Sequence, residues 1–242
     1  MLLSPVRAQS WRSTWDYVKH QVVAAVRMDG QNEPHRALPL IQFDRADAPD
    51  DCRIITDANT SGGFSYASLV YTKGEEHVEH VDGYIGGKEP PSHAVFSGEI
   101  SNKLPENNPS IERTGFAAWR TRESGSSILG NHVWNVDPYT HLALRIKSDG
   151  RKYFVNIKSE SIVPTDLHQH LLRAFRPGTW ETVYIPFSAF ARTNYGFIVE
   201  PQREMLRQKV TSVGIGLADR IPGPFEICIA DIYATNRPWR SR

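Results

Sequence analysis

The sequence predicts an antiparallel β-sandwich. Short runs rich in β-branched and aromatic residues are separated by Gly, Pro, Asn and Asp, the pattern of strands bounded by turns. No long helical periodicity intervenes between these runs, whereas a parallel sheet needs crossover helices. The 242 residues are 40% hydrophobic and 23% charged. That suits one substantial core, and sandwiches of about 200–250 residues commonly form single domains.

The chain opens differently. Trp11, Trp15, Val18, Val22 and Val26 recur at helical spacing and place one apolar face on a helix from about Ser13 to Val26. Ser13 followed by Asp16 resembles a capping box. The face packs on its own domain, or it docks on a membrane surface or a groove with Lys19 and Arg27 beside it. The expected organisation is an N-terminal segment, 1–30, carrying this amphipathic helix, and one β-sandwich domain, 31–242.

After Gly30 the strand-like runs are, in order, Leu38 to Phe43, Arg53 to Ile55, Phe64 to Tyr71, His93 to Ile100, Gly115 to Thr121, His141 to Lys147, Lys152 to Lys158, His170 to Phe175, Glu181 to Pro186, Val210 to Leu217 and Phe225 to Ala234. Turns of helix are expected near Ser188 to Ala191 and Gln202 to Gln208. Glu75 to Ser92, acidic at its start and rich in Gly and Pro at its end, reads as a long surface loop. Asp149-Gly150 reads as the tight turn of a hairpin, with Leu142, Leu144 and Ile146 on one side and Tyr153, Val155 and Ile157 on the corresponding side of the return strand. Arg145, Lys147, Arg151, Lys152 and Lys158 then form a basic open face for an acidic partner or anionic headgroups.

The 28 Lys plus Arg nearly cancel the 27 Asp plus Glu, which gives no electrostatic case for nucleic acid. Val22 to Val26, the longest apolar stretch near the N-terminus, is far below the about 18–20 residues needed to cross a bilayer. The first fifteen residues contain Arg7 and Arg12 and no acidic residue, a bias of mitochondrial targeting segments. Cys52 and Cys228 sit in apolar strand-like runs, where thiols are small buried hydrophobes. A single bridge between them is the alternative; two cysteines in this length fit a reducing compartment better.

No chemistry-bearing constellation emerges. There is no G-x-S-x-G nucleophile turn, and "SGGFS" (Ser61 to Ser65) reads as a backbone bend at a strand entrance. "VGIGLAD" (Val213 to Asp219) lacks the third glycine and the following helix of a dinucleotide site, so it reads as a strand. His77 and His80 with Glu75, Glu76 and Glu79 read as a solvated loop. His168 and His170 point to one side of a strand but lack the glutamate that completes a cupin-type metal set. No cofactor or metal is expected. Trp119, Tyr153 and Trp180, with Trp134, are candidates for a sugar-stacking face, against the alternative that they are core.

Six stretches in order, "TDANTSGGFSYASL", "AVFSGEIS", "GFAAWRT", "LALRIKSDGRKYFVNIKS", "GTWETVYIPFSAF" and "VTSVGIGLADRIPGPFEICIADIYA", resemble the family of the thirty-kilodalton complex I intermediate-associated protein. The resemblance covers about Leu38 to Thr235. It implies a galactose-binding-domain-like jelly roll used as a chaperone-like scaffold, with no catalytic constellation. It implies assembly of mitochondrial NADH:ubiquinone oxidoreductase in the matrix at the inner membrane, with membrane-arm intermediates and other assembly factors as partners. His168-Gln169-His170, where the family usually has an aromatic residue, and the loop from Glu75 to Ser92 depart from the pattern. The alternative is a carbohydrate- or small-ligand-binding module, and a weaker third reading is a metal-dependent enzyme.

Overall fold

The structure is a computed structural model that describes residues 37–74, 91–106, 108–122 and 133–236, all within one compact unit, Ala37–Arg242. The expected helix over Ser13 to Val26 lies outside these residues, as does most of the expected loop from Glu75 to Ser92.

Two sheets are built from β1 (Leu38–Gln42), β2 (Cys52–Thr56), β3 (Tyr66–Thr72), β4 (His93–Ile100), β5 (Ala117–Thr121), β6 (His141–Ser148), β7 (Tyr153–Ser159), β8 (Asp166–Leu171), β9 (Glu181–Pro186), β10 (Ala191–Asn194), β11 (Phe197–Ile198), β12 (Val210–Leu217) and β13 (Gly223–Thr235). The seven-stranded sheet runs β11-β10-β8-β7-β12-β5-β2; the six-stranded sheet runs β3-β4-β13-β6-β9, with β1 added beside β13. Every pairing between strands is antiparallel. Strand β13 is the spine of its sheet: Gly223 to Ile229 pair with β4, a register shift follows, and Asp231 to Ala234 pair with β1.

Period-two patterning fills the interior. Leu142, Leu144 and Ile146 from one sheet and Tyr153, Val155, Ile157, Val213, Ile215 and Leu217 from the other are at most 1% exposed. Aromatic contacts cross between the sheets: Tyr153 meets Phe225 at 6.5 Å between ring centroids. Trp119, edge-on to Phe43 at 5.6 Å, is fully buried. Offset and edge contacts of this kind add to area burial.

The Asp149-Gly150 turn is present, with Gly150 at φ +91°, but it does not close a hairpin. Strand β6 belongs to the six-stranded sheet and β7 to the seven-stranded one, so the turn carries the chain from one layer to the other. The two apolar rows face each other across the core instead of lying side by side.

Other boundaries moved. The run expected over His170 to Phe175 is β8, Asp166–Leu171, and Phe175 is 76% exposed. The β10–β11 hairpin was not expected; its turn, Tyr195-Gly196, has φ of 49° and 80°, both positive as a type I′ turn requires. Gln202 to Gln208 is not helical beyond a 3₁₀ turn at Arg207–Lys209, and the turn expected near Ser188 is a 3₁₀ turn at Phe187–Ala189. One short helix, Asp57–Ser61, precedes β3. Thr56 caps it by accepting from the Asn59 amide, and Gly62 ends it at φ +74°.

Candidate partner-binding surfaces

Strand parity separates the basic residues expected on one face. Arg145 and Lys147 alternate with the buried Leu144 and Ile146 on β6, so they face outward from the six-stranded sheet. Lys158 follows the buried Ile157 on β7 and faces outward from the seven-stranded sheet. These outer surfaces point in opposite directions, and Arg145 is itself only 5% exposed. Lys152 is exposed in the turn between the layers. A continuous basic face made of Arg145, Lys147, Arg151, Lys152 and Lys158 therefore does not exist, because the turn it was read from joins two sheets.

Arg151 has a structural role. Its Nε donates to Asp219 Oδ2 at 3.0 Å and its Nη2 to Oδ1 at 2.7 Å. Its Nη1 donates to the carbonyls of Gly223 at 3.1 Å and Pro224 at 2.8 Å, and Nη2 also reaches the carbonyl of Ile221. One guanidinium thus pins the connection from β12 to β13, with Asp219 only 3% exposed at its side chain. Its planar fork suits this bidentate geometry.

Trp119, Tyr153 and Trp180 do not make a shared aromatic platform. Trp119 and Tyr153 are fully buried, Tyr153 donates its hydroxyl to Asp149 Oδ2 at 3.1 Å, and Trp180 stands edge-on to the His93 ring at 5.0 Å. Trp134 lies at the core's margin and bridges to Val210.

The remaining ionisable groups behave as fold chemistry. Asp57, fully buried, accepts from the Ser65 amide at 2.9 Å, the Ser65 hydroxyl at 3.0 Å and the Gly115 amide at 2.5 Å. The same carboxylate explains "SGGFS": a Cβ at Gly63 would stand 2.5 Å from Asp57 Cγ. Asp166 is held below the usual carboxylate range by hydrogen bonds from Asn194 and then Arg192, against burial. His168 and His170 share one side of β8, as expected, and their pairing with the buried Ile157 and Val155 of β7 makes it the core-facing side. Burial pushes both below the ordinary imidazole value, and His168 Nε2 and His170 Nδ1 have no hydrogen-bond partner. His168 lines a cleft of about 450 Å³ with Asp166, Arg192 and Leu206. Among the described residues no group of three or more His, Cys, Asp or Glu could hold a metal. Cys52 and Cys228 are free and buried. Burial raises both thiols, Cys52 to about 12, which leaves them protonated and poor nucleophiles at neutral pH.

"VGIGL" is strand β12, and its glycines have packing reasons. A Cβ at Gly214 would lie 2.0 Å from the Trp119 carbonyl oxygen. Gly214 and Gly216 fall at outward positions, aligned with Arg120 and Ala118 of β5 and with Asn156 and Phe154 of β7. Arg53 lies directly opposite Arg120. Sequence reading missed this row because glycine was weighed only as a failed nucleotide motif; its period-two spacing was the signal that it lies on one outward face.

Residues 41–229 match the sequence profile of the complex I intermediate-associated protein 30 family. A Neurospora crassa protein named complex I intermediate-associated protein 30, mitochondrial, is 43% identical over 89% of this chain and 78% of its own length. A Caenorhabditis elegans protein named as a probable member is 28% identical over 81% of the chain; the chain spans only 53% of that relative. In fold, the chain is similar to two structures of family 11 carbohydrate-binding modules from Clostridium thermocellum. One covers 83% of this chain and 95% of its own (TM-score 0.52, 14% identity). The other covers 87% and 100% (TM-score 0.54, 13% identity). Both are likenesses of fold alone.

Proposed function

The chain belongs to the complex I intermediate-associated protein 30 family, and on that premise we propose that it is a non-enzymatic assembly factor for mitochondrial respiratory complex I. It binds membrane-arm assembly intermediates and other assembly factors, working in the matrix at the periphery of the inner membrane. The observation that carries this reading is the family match over residues 41–229, joined to 43% identity with the Neurospora relative across most of the chain.

The chemistry of the site supports a binding role. Arg151 with Asp219, Arg192 with Asp166, and Asp57 with its amide and hydroxyl donors are consumed in holding loops and strands. A catalytic acid or base needs a group within reach of a substrate and poised near the working pH; these groups are paired inward. The carbohydrate-binding alternative loses its proposed aromatic platform, because Trp119 and Tyr153 are core residues. In the same reading, Trp11, Trp15, Val18 and Val22 are the face by which the helix expected from the sequence over Ser13 to Val26 would attach to the inner membrane or a helical partner.

The test is loss of the protein. Mitochondria lacking it should show depleted mature complex I and accumulated membrane-arm subassemblies on native gels, restored by the intact chain. Normal complex I levels in its absence would overturn the proposal.

A further inference from the structure

Five connections carry the chain from one sheet to the other at the same end of the sandwich: β2 to β3, β4 to β5, β6 to β7, β8 to β9 and β12 to β13. The registers place them together. Thr56 stands opposite Ala117, Ala117 opposite Leu217, Leu217 opposite Tyr153 and Phe154 opposite Leu171, while Glu99 stands opposite both Tyr66 and Pro224. Four of the five connections each expose a bulky apolar side chain by half or more of its surface: Phe64, Leu104, Phe175 and Ile221. The order in the chain repeats as well. Lys103-Leu104-Pro105 and Arg220-Ile221-Pro222 both run cation, apolar residue, proline, and Phe175-Arg176-Pro177 holds the same three types. Lys103, Arg173, Arg176 and Arg220 are exposed beside the apolar residues, and Lys152 is exposed in the remaining turn. The exposed acids among the described residues of these connections are Glu106, Glu112 and Asp149. The Asp149 carboxylate is already engaged by the Arg151 and Glu226 amides and the Tyr153 hydroxyl.

These side chains are exposed although the backbone that bears them is held. The Ile221 amide donates to Asp219 Oδ1 at 3.1 Å, and its carbonyl accepts from Arg151. The Arg220 carbonyl accepts from Asn102 Nδ2 at 2.6 Å, which ties the β12–β13 connection to the β4–β5 one. The Arg176 amide donates to Glu181 Oε1 at 3.1 Å, and the Gly178 amide donates to the Ser148 carbonyl at 2.7 Å. A tip ordered in advance loses little entropy on docking. The opposite end exposes apolar residues too, Ile162, Tyr195, Ile198 and Leu206 among them. Its described connections set Glu160, Glu200 and Glu204 near these residues in the chain, and the one entering β2 carries Asp44, Asp47, Asp50 and Asp51 against Arg45. Cations beside apolar tips therefore mark one end only.

Resting on the placement of this chain at the periphery of the inner membrane, we propose that this end of the sandwich docks on an anionic lipid surface. Leu104, Phe175 and Ile221, with Phe64 beside them, enter the boundary between headgroups and acyl chains. Lys103, Lys152, Arg173, Arg176 and Arg220 meet the lipid phosphates. The centre of a protein interface is depleted of charge, whereas here each of those three tips stands next to its own cation. That alternation suits a bilayer boundary, where the apolar part of the surface sinks and the charge stays at headgroup level.

The experiment uses the purified full chain and vesicles of phosphatidylcholine containing about a quarter phosphatidylglycerol, with pure phosphatidylcholine vesicles as the control. Cosedimentation should favour the anionic vesicles and weaken as salt rises. Phe175→Ser and Ile221→Ser should each weaken it about tenfold, as withdrawing one such side chain from the lipid predicts, with no drop in melting temperature. Arg176→Glu combined with Arg220→Glu should weaken it at least about tenfold and flatten the salt dependence. Ile162→Ser, at the opposite end, should leave it within about twofold. Because Cys52 and Cys228 are buried, an environment-sensitive label can be placed on Ile221→Cys alone. Its emission should shift to the blue on anionic vesicles, and the same label on Ile162→Cys should not respond. Unaltered binding in Phe175→Ser and Ile221→Ser, equal loss in Ile162→Ser, or a label on Ile221→Cys that stays in water while the chain is vesicle-bound would overturn the proposal. So would vesicle binding that is absent while Phe175→Ser and Ile221→Ser abolish capture of membrane-arm subunits, which would make these tips a protein interface. These outcomes are read on lipid binding and subunit capture, whereas failure of the assembly role is read as normal complex I in cells lacking the chain.

Discussion

Replacing Arg151 separates a structural clamp from a surface charge. Its guanidinium makes a bidentate pair with Asp219 and holds three carbonyls of the connection between β12 and β13. The side chains are 14% and 3% exposed, so this is a mostly buried pair. Arg151→Met keeps the aliphatic stem but strands the Asp219 carboxylate and frees the carbonyls. Removing one partner of a buried pair costs about 3–5 kcal/mol; the partial exposure of Arg151 places the expected loss near the lower end, about 3 kcal/mol. For a domain of this size that lowers the melting temperature by roughly 6–12 °C. Thermal and urea unfolding measure it, and adding Asp219→Leu should return at least half of the loss, because the buried charge is removed with its partner. A loss below about 1 kcal/mol for Arg151→Met, in the range of exposed ion pairs, would refute the clamp.

Trp119→Ala should cost about 3–5 kcal/mol in urea unfolding, as for a fully buried aromatic, given its full burial against Phe43. Gly214→Ala should destabilise strongly or prevent folding, because its Cβ would meet the Trp119 carbonyl at 2.0 Å, whereas Gly178→Ala, strained only by φ +79° with nothing within 4 Å, should cost about 1 kcal/mol. Burial raises the Asp231 carboxyl from 3.8 to about 6, with Arg145 opposing. The folded state therefore holds this proton more tightly than the unfolded one, a contribution present below pH 3.8 and lost as pH rises through 6. The stability of Asp231→Asn relative to wild type should accordingly rise across that window in pH-dependent unfolding and level off above it. His168 has the opposite sign: its lowered value makes stability complete above 6.5 and lost as pH falls below it, so His168→Gln should flatten the acid side of the profile.

The layers were legible in the sequence because each strand buries one face, and alternation such as Tyr153, Val155, Ile157 records that directly. The sheet to which each strand belongs was not. Asp149-Gly150 relaxes backbone strain equally well in a hairpin or in a crossing between layers, and the apolar rows it joins read the same in both. Only pairing partners distant in sequence, β13 for β6 and β12 for β7, decide the matter. The basic face failed with that error, since strand parity then sends Arg145 and Lys158 to opposite surfaces. Strand β8 was displaced because its core-facing residues, Asp166, His168 and His170, do not look apolar. The β10–β11 hairpin escaped because Tyr195, unlike Gly or Asn, gives no hint of a positive φ. The glycines of β12 were read correctly as strand residues, but the outward row they share with Arg53, Arg120 and Asn156 exists only once the registers are known.

The most direct measurement is affinity capture of the tagged chain from gently solubilised mitochondria, followed by mass spectrometry of what is retained. Membrane-arm subunits of complex I and other assembly factors should be enriched over an untagged control, with fully assembled complex I depleted among the captured material. Retention of no complex I subunit, or of the mature complex in proportion to its abundance, would contradict a role in binding assembly intermediates.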